Sequence, residues 1–83
     1  MHFLGTVVVR FKKSVLEPQG QAVLLSLKEN HVKGVENVRV GKFIEVKLEA
    51  SSEEEAEKQL QEIAELLLYN PVMEVCELSV EAQ

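Results

Sequence analysis

The strongest constraint on this chain is the order in which its hydrophobic period changes. Thr6–Lys12 alternates: Val7, Val9 and Phe11 fall on one side, Thr6, Val8, Arg10 and Lys12 on the other. That is the period of a strand, and its β-branched content agrees. From Glu17-Pro18 to about His31 the period lengthens to that of a helix, with Val23, Leu24, Leu27 and His31 as its apolar stripe and Ala22 and Leu25 at the flanks. Proline suits a first helical position, and Gly34 is the expected stop. Alternation returns in Val35–Val40 and again in Phe43–Glu49, where Ile44, Val46 and Leu48 face inward. Ser51-Ser52-Glu53-Glu54-Glu55 has capping-box spacing and opens a second helix, whose stripe is Ala56, Leu60, Ile63, Ala64 and Leu67. Asn70-Pro71 ends it, and Val72–Val80 alternates once more, with Cys76, Leu78 and Val80 on one side and Met73, Val75 and Glu77 on the other.

The resulting order is β-α-β-β-α-β with short connections, in one domain over residues 1–83. It predicts an α+β fold, a ferredoxin-like two-layer sandwich: a four-stranded antiparallel sheet with two helices on one face. Right-handed crossovers would place the first and third strands in the centre. Gly41-Lys42 reads as the turn between the second and third strands. A two-residue loop would put Val38 and Val40 opposite Ile44 and Val46, so a three-residue loop or a bulge is expected there. The uncovered sheet face would carry Val8, Phe43, Met73 and Val75. Such an apolar patch predicts a homo-oligomer, a dimer or a tetramer, through the sheet face or a sheet edge.

Composition narrows the function by exclusion. The net charge is −5, with acid concentrated in Glu53–Glu65 and Glu74–Glu81, which opposes nucleic-acid binding. Basic residues cluster only in Arg10–Lys13 and Arg39–Lys42, and each cluster could hold a local anionic partner. The single cysteine excludes an intramolecular disulfide and fits a reducing cytosol. The N-terminus lacks the pattern of a signal peptide, and no apolar run is long enough to span a membrane.

The chain has no P-loop, no dinucleotide fingerprint and no His-Glu-x-x-His. Cys76 reads as a small buried hydrophobe, His31 as a helix-terminal charge and His2 as frayed, so neither a Cys-His dyad nor a set of metal ligands is expected. No catalytic, cofactor-binding or metal-binding residue emerges. The aromatics are too few for an RNA-recognition face. The loop after the first strand has neither the glycines of an acylphosphatase nor the Cys-x-x-Cys of a metal chaperone. A free-standing ligand-binding regulatory domain of this topology remains open.

Three stretches carry a resemblance. Ser14-Val15-Leu16-Glu17-Pro18-Gln19-Gly20-Gln21-Ala22-Val23 is similar to the start of the first helix in the PurS family, the small subunits of phosphoribosylformylglycinamidine synthase. Val35–Lys42 and Leu67–Glu74 resemble that family's next two elements, in the same order and spacing. The resemblance implies an accessory subunit of a glutamine- and ATP-dependent C–N ligase of de novo purine synthesis, with no chemistry of its own. It implies two partners: a glutaminase subunit that releases ammonia and a large synthetase subunit that uses ATP and Mg. Dimers of the small subunit would bridge the two and support ammonia transfer in the cytoplasm. Carried onto this sequence, Pro18, Gln19 and Gly20 match one motif and Arg39, Gly41 and Lys42 the other, as candidate partner-interface residues. Each also has a purely structural role to weigh against this: Pro18 and Gly20 shaping a helix start, Gly41 supplying positive φ in a turn, Arg39 and Lys42 as solvated charges.

Overall fold

A computed structural model describes all 83 residues. Its centre is β1, His2–Phe11, flanked by β2, Lys42–Glu49, on one side and β3, Glu74–Ala82, on the other. Both pairings are antiparallel: Val7 lies opposite Ile44 and Leu78, and Val9 opposite Lys42 and Cys76. The alternation read from the sequence is what the sheet uses. Phe3, Gly5, Val7 and Val9 are buried on one face, while Val8 and Arg10 are exposed on the other. His2, expected to be frayed, is the first residue of β1 and accepts a hydrogen bond from the Gln83 backbone N–H.

The buried face is covered by α2, Glu53–Ile63. Ser52 caps it, its hydroxyl accepting from the Glu55 N–H at 3.2 Å, and Glu53, Glu54 and Glu55 sit at the positive end of the helix dipole. Leu60 is fully buried against Val7 and Val9. Gly5 makes room for it, since a Cβ there would lie 2.8–2.9 Å from the Leu60 methyls. The helix ends in a π-helical turn, Ala64–Leu68, closed by the Tyr69 N–H on the Ala64 carbonyl. One extra residue in that turn shifts the stripe by one position. Leu68 packs against the core, and Leu67, expected inward, is 79% exposed.

The four-stranded sheet is not formed. The sheet has three strands in the order β2-β1-β3, so the central pair expected from the crossovers reduces to β1 alone, and β2 is an edge. Val35–Val40 is unpaired coil and makes no ladder with β2. Its polar groups are engaged elsewhere: the Val40 N–H donates to the Glu17 carboxylate at 3.3 Å, and Arg39 reaches back to the end of β1. Gly41 is therefore not a hairpin turn, and no bulge or three-residue loop is needed. The chain passes over the backbone of Val9 and enters β2 directly.

Nor do both helices cover the sheet. The first, α1, runs Pro18–Glu29, and only Gly20 in it is buried. Packed interfaces join α2 to all three strands, whereas α1 has no comparable interface with the strands or with α2. Val23 and Leu25 are exposed, and Leu24 and Leu27 are half-covered. The molecule measures 52 × 27 × 15 Å with a radius of gyration of 16.5 Å, against about 12 Å for a compact domain of this length. The predicted stop at Gly34 is also displaced. Asn30 caps the helix and His31 takes the left-handed conformation at φ 60°. The N–H groups of His31 and Val32 then close on the carbonyls of Lys28 and Leu27, a Schellman arrangement built on a histidine.

Candidate functional site

The sequence-predicted interface residues meet mainly at the neck between the sheet and α1. The organising group there is Glu17, 3% exposed. Its Oε1 accepts from the Gln19 N–H at 2.9 Å, and its Oε2 accepts from the N–H groups of both Gly20 and Val40. A buried carboxylate is tolerable when backbone donors at a helix N-terminus satisfy it. The usual N-cap residues are shorter; here one oxygen of the longer side chain joins the helix to the Val35–Val40 segment. Pro18 occupies the first helical position, as the sequence predicted.

The glycines serve close approach rather than turning. A Cβ on Gly20 would be driven into the Val38 carbonyl, and one on Gly41 into the Val9 carbonyl. The glycine with positive φ is Gly34, so Gly41 does not have the turn role it could have had. Pro18 and Gln19 are exposed at the corner these contacts build, while Gly20 is interior to it.

Arg39 lies across the same neck. Its Nη2 donates to the Lys12 carbonyl at 2.8 Å and approaches the Phe11 carbonyl at 3.5 Å. This brings Arg39 beside Arg10–Lys13, and together they line a cleft of about 840 Å³ with Phe11, Asn37 and Val75. Arg10 also pairs with Glu77 at 2.7 Å, with both side chains largely exposed. Lys42 does not join this group. Its Nζ lies 3.4 Å from the Leu68 carbonyl and 3.9 Å from the Glu74 carboxylate. Glu74 is 8% exposed and accepts from the Asn70 N–H at 2.7 Å, so Lys42 closes over the turn between α2 and β3.

Val8, Phe43, Met73 and Val75 are all exposed. Val8 is opposite Phe43, Val75 is opposite Arg10, and the Met73 carbonyl accepts from the Lys12 N–H. They form a diagonal apolar row across the open sheet face, ending at the basic cleft.

No nucleophile-and-base constellation appears. Cys76 is half-buried and packs against the core as the sequence predicted. Beside it, the Tyr69 phenol is raised above its ordinary pKa by desolvation and by its hydrogen bond to Cys76. No group of three or more His, Cys, Asp or Glu side chains is placed to hold a metal ion, and no helix is long and apolar enough to cross a membrane. Sequence reasoning missed two features: the clamp made by Glu17, whose signal was an acid directly before Pro18, and the meeting of Arg39 with the Arg10–Lys13 cluster, which no local pattern announces.

Residues 5–82 match the family model PurS, described as phosphoribosylformylglycinamidine (FGAM) synthase. The phosphoribosylformylglycinamidine synthase subunit PurS of Methanocaldococcus jannaschii is 32% identical over 79 residues, covering 95% of each chain. That of Bacillus subtilis is 39% identical over 75 residues, covering 90% of this chain and 88% of its own. Among solved structures, a chain of PurLQS from Thermotoga maritima superposes with a TM-score of 0.88 at 30% identity, over 98% of this chain and 99% of that one. A match of this extent, running through both the neck and the sheet, places the chain in the PurS family of FGAM synthase subunits.

Proposed function

We propose that this chain is the small, non-catalytic subunit of an FGAM synthase, the glutamine- and ATP-dependent ligase that converts FGAR to FGAM in purine biosynthesis. The observation that carries this reading is the end-to-end likeness to a chain of the PurLQS structure, with no long insertion on either side. In this reading the large synthetase subunit binds ATP and Mg, the glutaminase subunit releases ammonia, and this chain bridges them in the cytoplasm as a homodimer or tetramer. The neck supplies the docking corner, with Pro18, Gln19 and Arg39 presented on a shape fixed by Gly20 and Gly41, and Lys42 presented beside it. The apolar row of Val8, Phe43, Met73 and Val75 contributes to the contact between copies.

Reconstitution tests it. The chain is mixed with the purified large and glutaminase subunits of its own organism, and glutamine-dependent FGAM formation is followed. Activity that requires all three proteins is the expected result. Full glutamine-dependent activity without this chain would reject the assignment.

A further inference from the structure

Arg39 lies 26 residues or more from the Arg10–Lys13 cluster in sequence, and the fold brings them to one place. Arg10, Lys12, Lys13 and Arg39 line a single cleft, which is four of the chain's nine Lys and Arg residues. The chain carries 14 acidic residues, yet none of them lines this cleft. Only Arg10 among the four has an acidic partner within ion-pair distance, the Glu77 on the neighbouring strand. Arg39 is held by the Lys12 carbonyl, which fixes its position without cancelling its charge. Concentrating like charges on an otherwise acidic molecule is unfavourable by Coulomb repulsion, and an anionic occupant reverses the sign of that energy.

The shape and lining say which kind of anion fits. The cleft is about 840 Å³ and opens onto the sheet face, larger than a single phosphate needs. Phe11 and Val75 are its two apolar lining residues. Two flexible lysines and two arginines spread along an open cleft suit several carboxylates distributed along a chain. Lys and Arg also bind phosphate, but a phosphate cradle adds convergent backbone N–H groups to them, and the backbone groups that Arg39 engages here are carbonyls.

We propose that this cleft docks an acidic segment of a partner protein, belonging to one of the other two subunits of the complex. This rests on the reading of the chain as a complex subunit and adds the chemistry by which it holds its partner. The interaction is charge-steered, so it strengthens at low salt and weakens as ions screen it.

The test compares two double variants of equal net charge. Lys12→Glu with Lys13→Glu reverses the cleft, and Lys33→Glu with Lys58→Glu reverses two exposed lysines outside it. Binding of each full-length variant to the purified large subunit and to the purified glutaminase subunit is measured by calorimetry at low and physiological salt. The oligomeric state of each variant is recorded by light scattering. The cleft variant is expected to lose at least tenfold in affinity for one of the two subunits, with a flattened salt dependence and an unchanged oligomeric state, and the control to stay within about twofold. Equal affinities for the two variants would overturn the cleft while leaving the subunit assignment standing. Failure of the unaltered chain to bind either subunit would overturn both. ATP and inorganic phosphate are titrated into the isolated chain as further probes. Saturable binding abolished by the cleft variant would assign the site to a phosphorylated small molecule and overturn the acidic-segment proposal.

Discussion

At the scale of single residues, the neck depends on a carboxylate and a missing side chain. Glu17 is enclosed, and its carboxylate accepts from three backbone N–H groups, one of them across the gap at Val40. Gly20 lets the Val38 carbonyl approach to where a Cβ would otherwise stand. Gly20→Ala is therefore expected to destabilise the folded chain by about 1–3 kcal/mol, as overpacking does, although alanine is the better helix former. Denaturant titration checks this. A stability equal to or above that of the parent would mean that α1 and the Val38 segment are not in contact. The sequence held half of this: Pro18 marks a helix start by a local rule. The backbone approach at Gly20 and the reach of Glu17 to Val40 join positions some twenty residues apart, and no local pattern encodes them. Gly41 illustrates the same limit, because a glycine before a strand reads as a turn until the neighbouring backbone at Val9 is known.

Among the elements, the agreement is closest where periodicity and packing address the same question. The alternation in β1, β2 and β3 sorts inside from outside correctly, because a strand with one covered face has no freedom to slip by one residue. Besides α1, which does not pack on the sheet, two elements escaped. Val35–Val40 has strand composition, but a strand needs a ladder partner, and its contacts run to Glu17 and to the end of β1 instead. The second helix has an unbroken 3.6-residue stripe, and the π turn at Ala64–Leu68 interrupts its continuation. A pair of truncations separates pattern from structure. Leu60→Ala removes a fully buried side chain and is expected to cost about 2–5 kcal/mol. Leu67→Ala, on the same sequence stripe but 79% exposed, is expected to cost under about 0.5 kcal/mol. Equal losses in thermal or chemical unfolding would mean that the helix continues as a regular α-helix and that the one-residue shift is absent.

At the scale of the whole molecule, the accounts of surface and shape agree. A folded monomer of 9.3 kDa typically exposes about 5,000 Å². This chain exposes 6217 Å² and buries 11 of its 83 residues. The excess, roughly 1,200 Å², is on the scale of one partner's share of a stable interface, about 800 Å². It lies where the chain is least like a closed domain: along the apolar stripe of α1, across the open sheet face, and along the outer edge of β2, where the fourth strand was expected. A single copy leaves all three without cover, and a small core supplies little stability of its own. Cover by a second copy therefore predicts that folding and association are linked. Sedimentation should show a dimer or larger species at micromolar concentration, and the unfolding midpoint should rise as protein concentration rises. Leu24→Lys with Leu27→Lys alters the half-covered stripe of a helix that has no extensive interface with another element of its own chain. It should shift the equilibrium toward monomer and lower the midpoint at fixed concentration. Phe43→Glu tests the sheet face in the same way, and the two changes separate which surface the copies share. A monomer whose midpoint is independent of concentration would show that the extended shape is stable alone and that the exposed apolar surfaces await other partners.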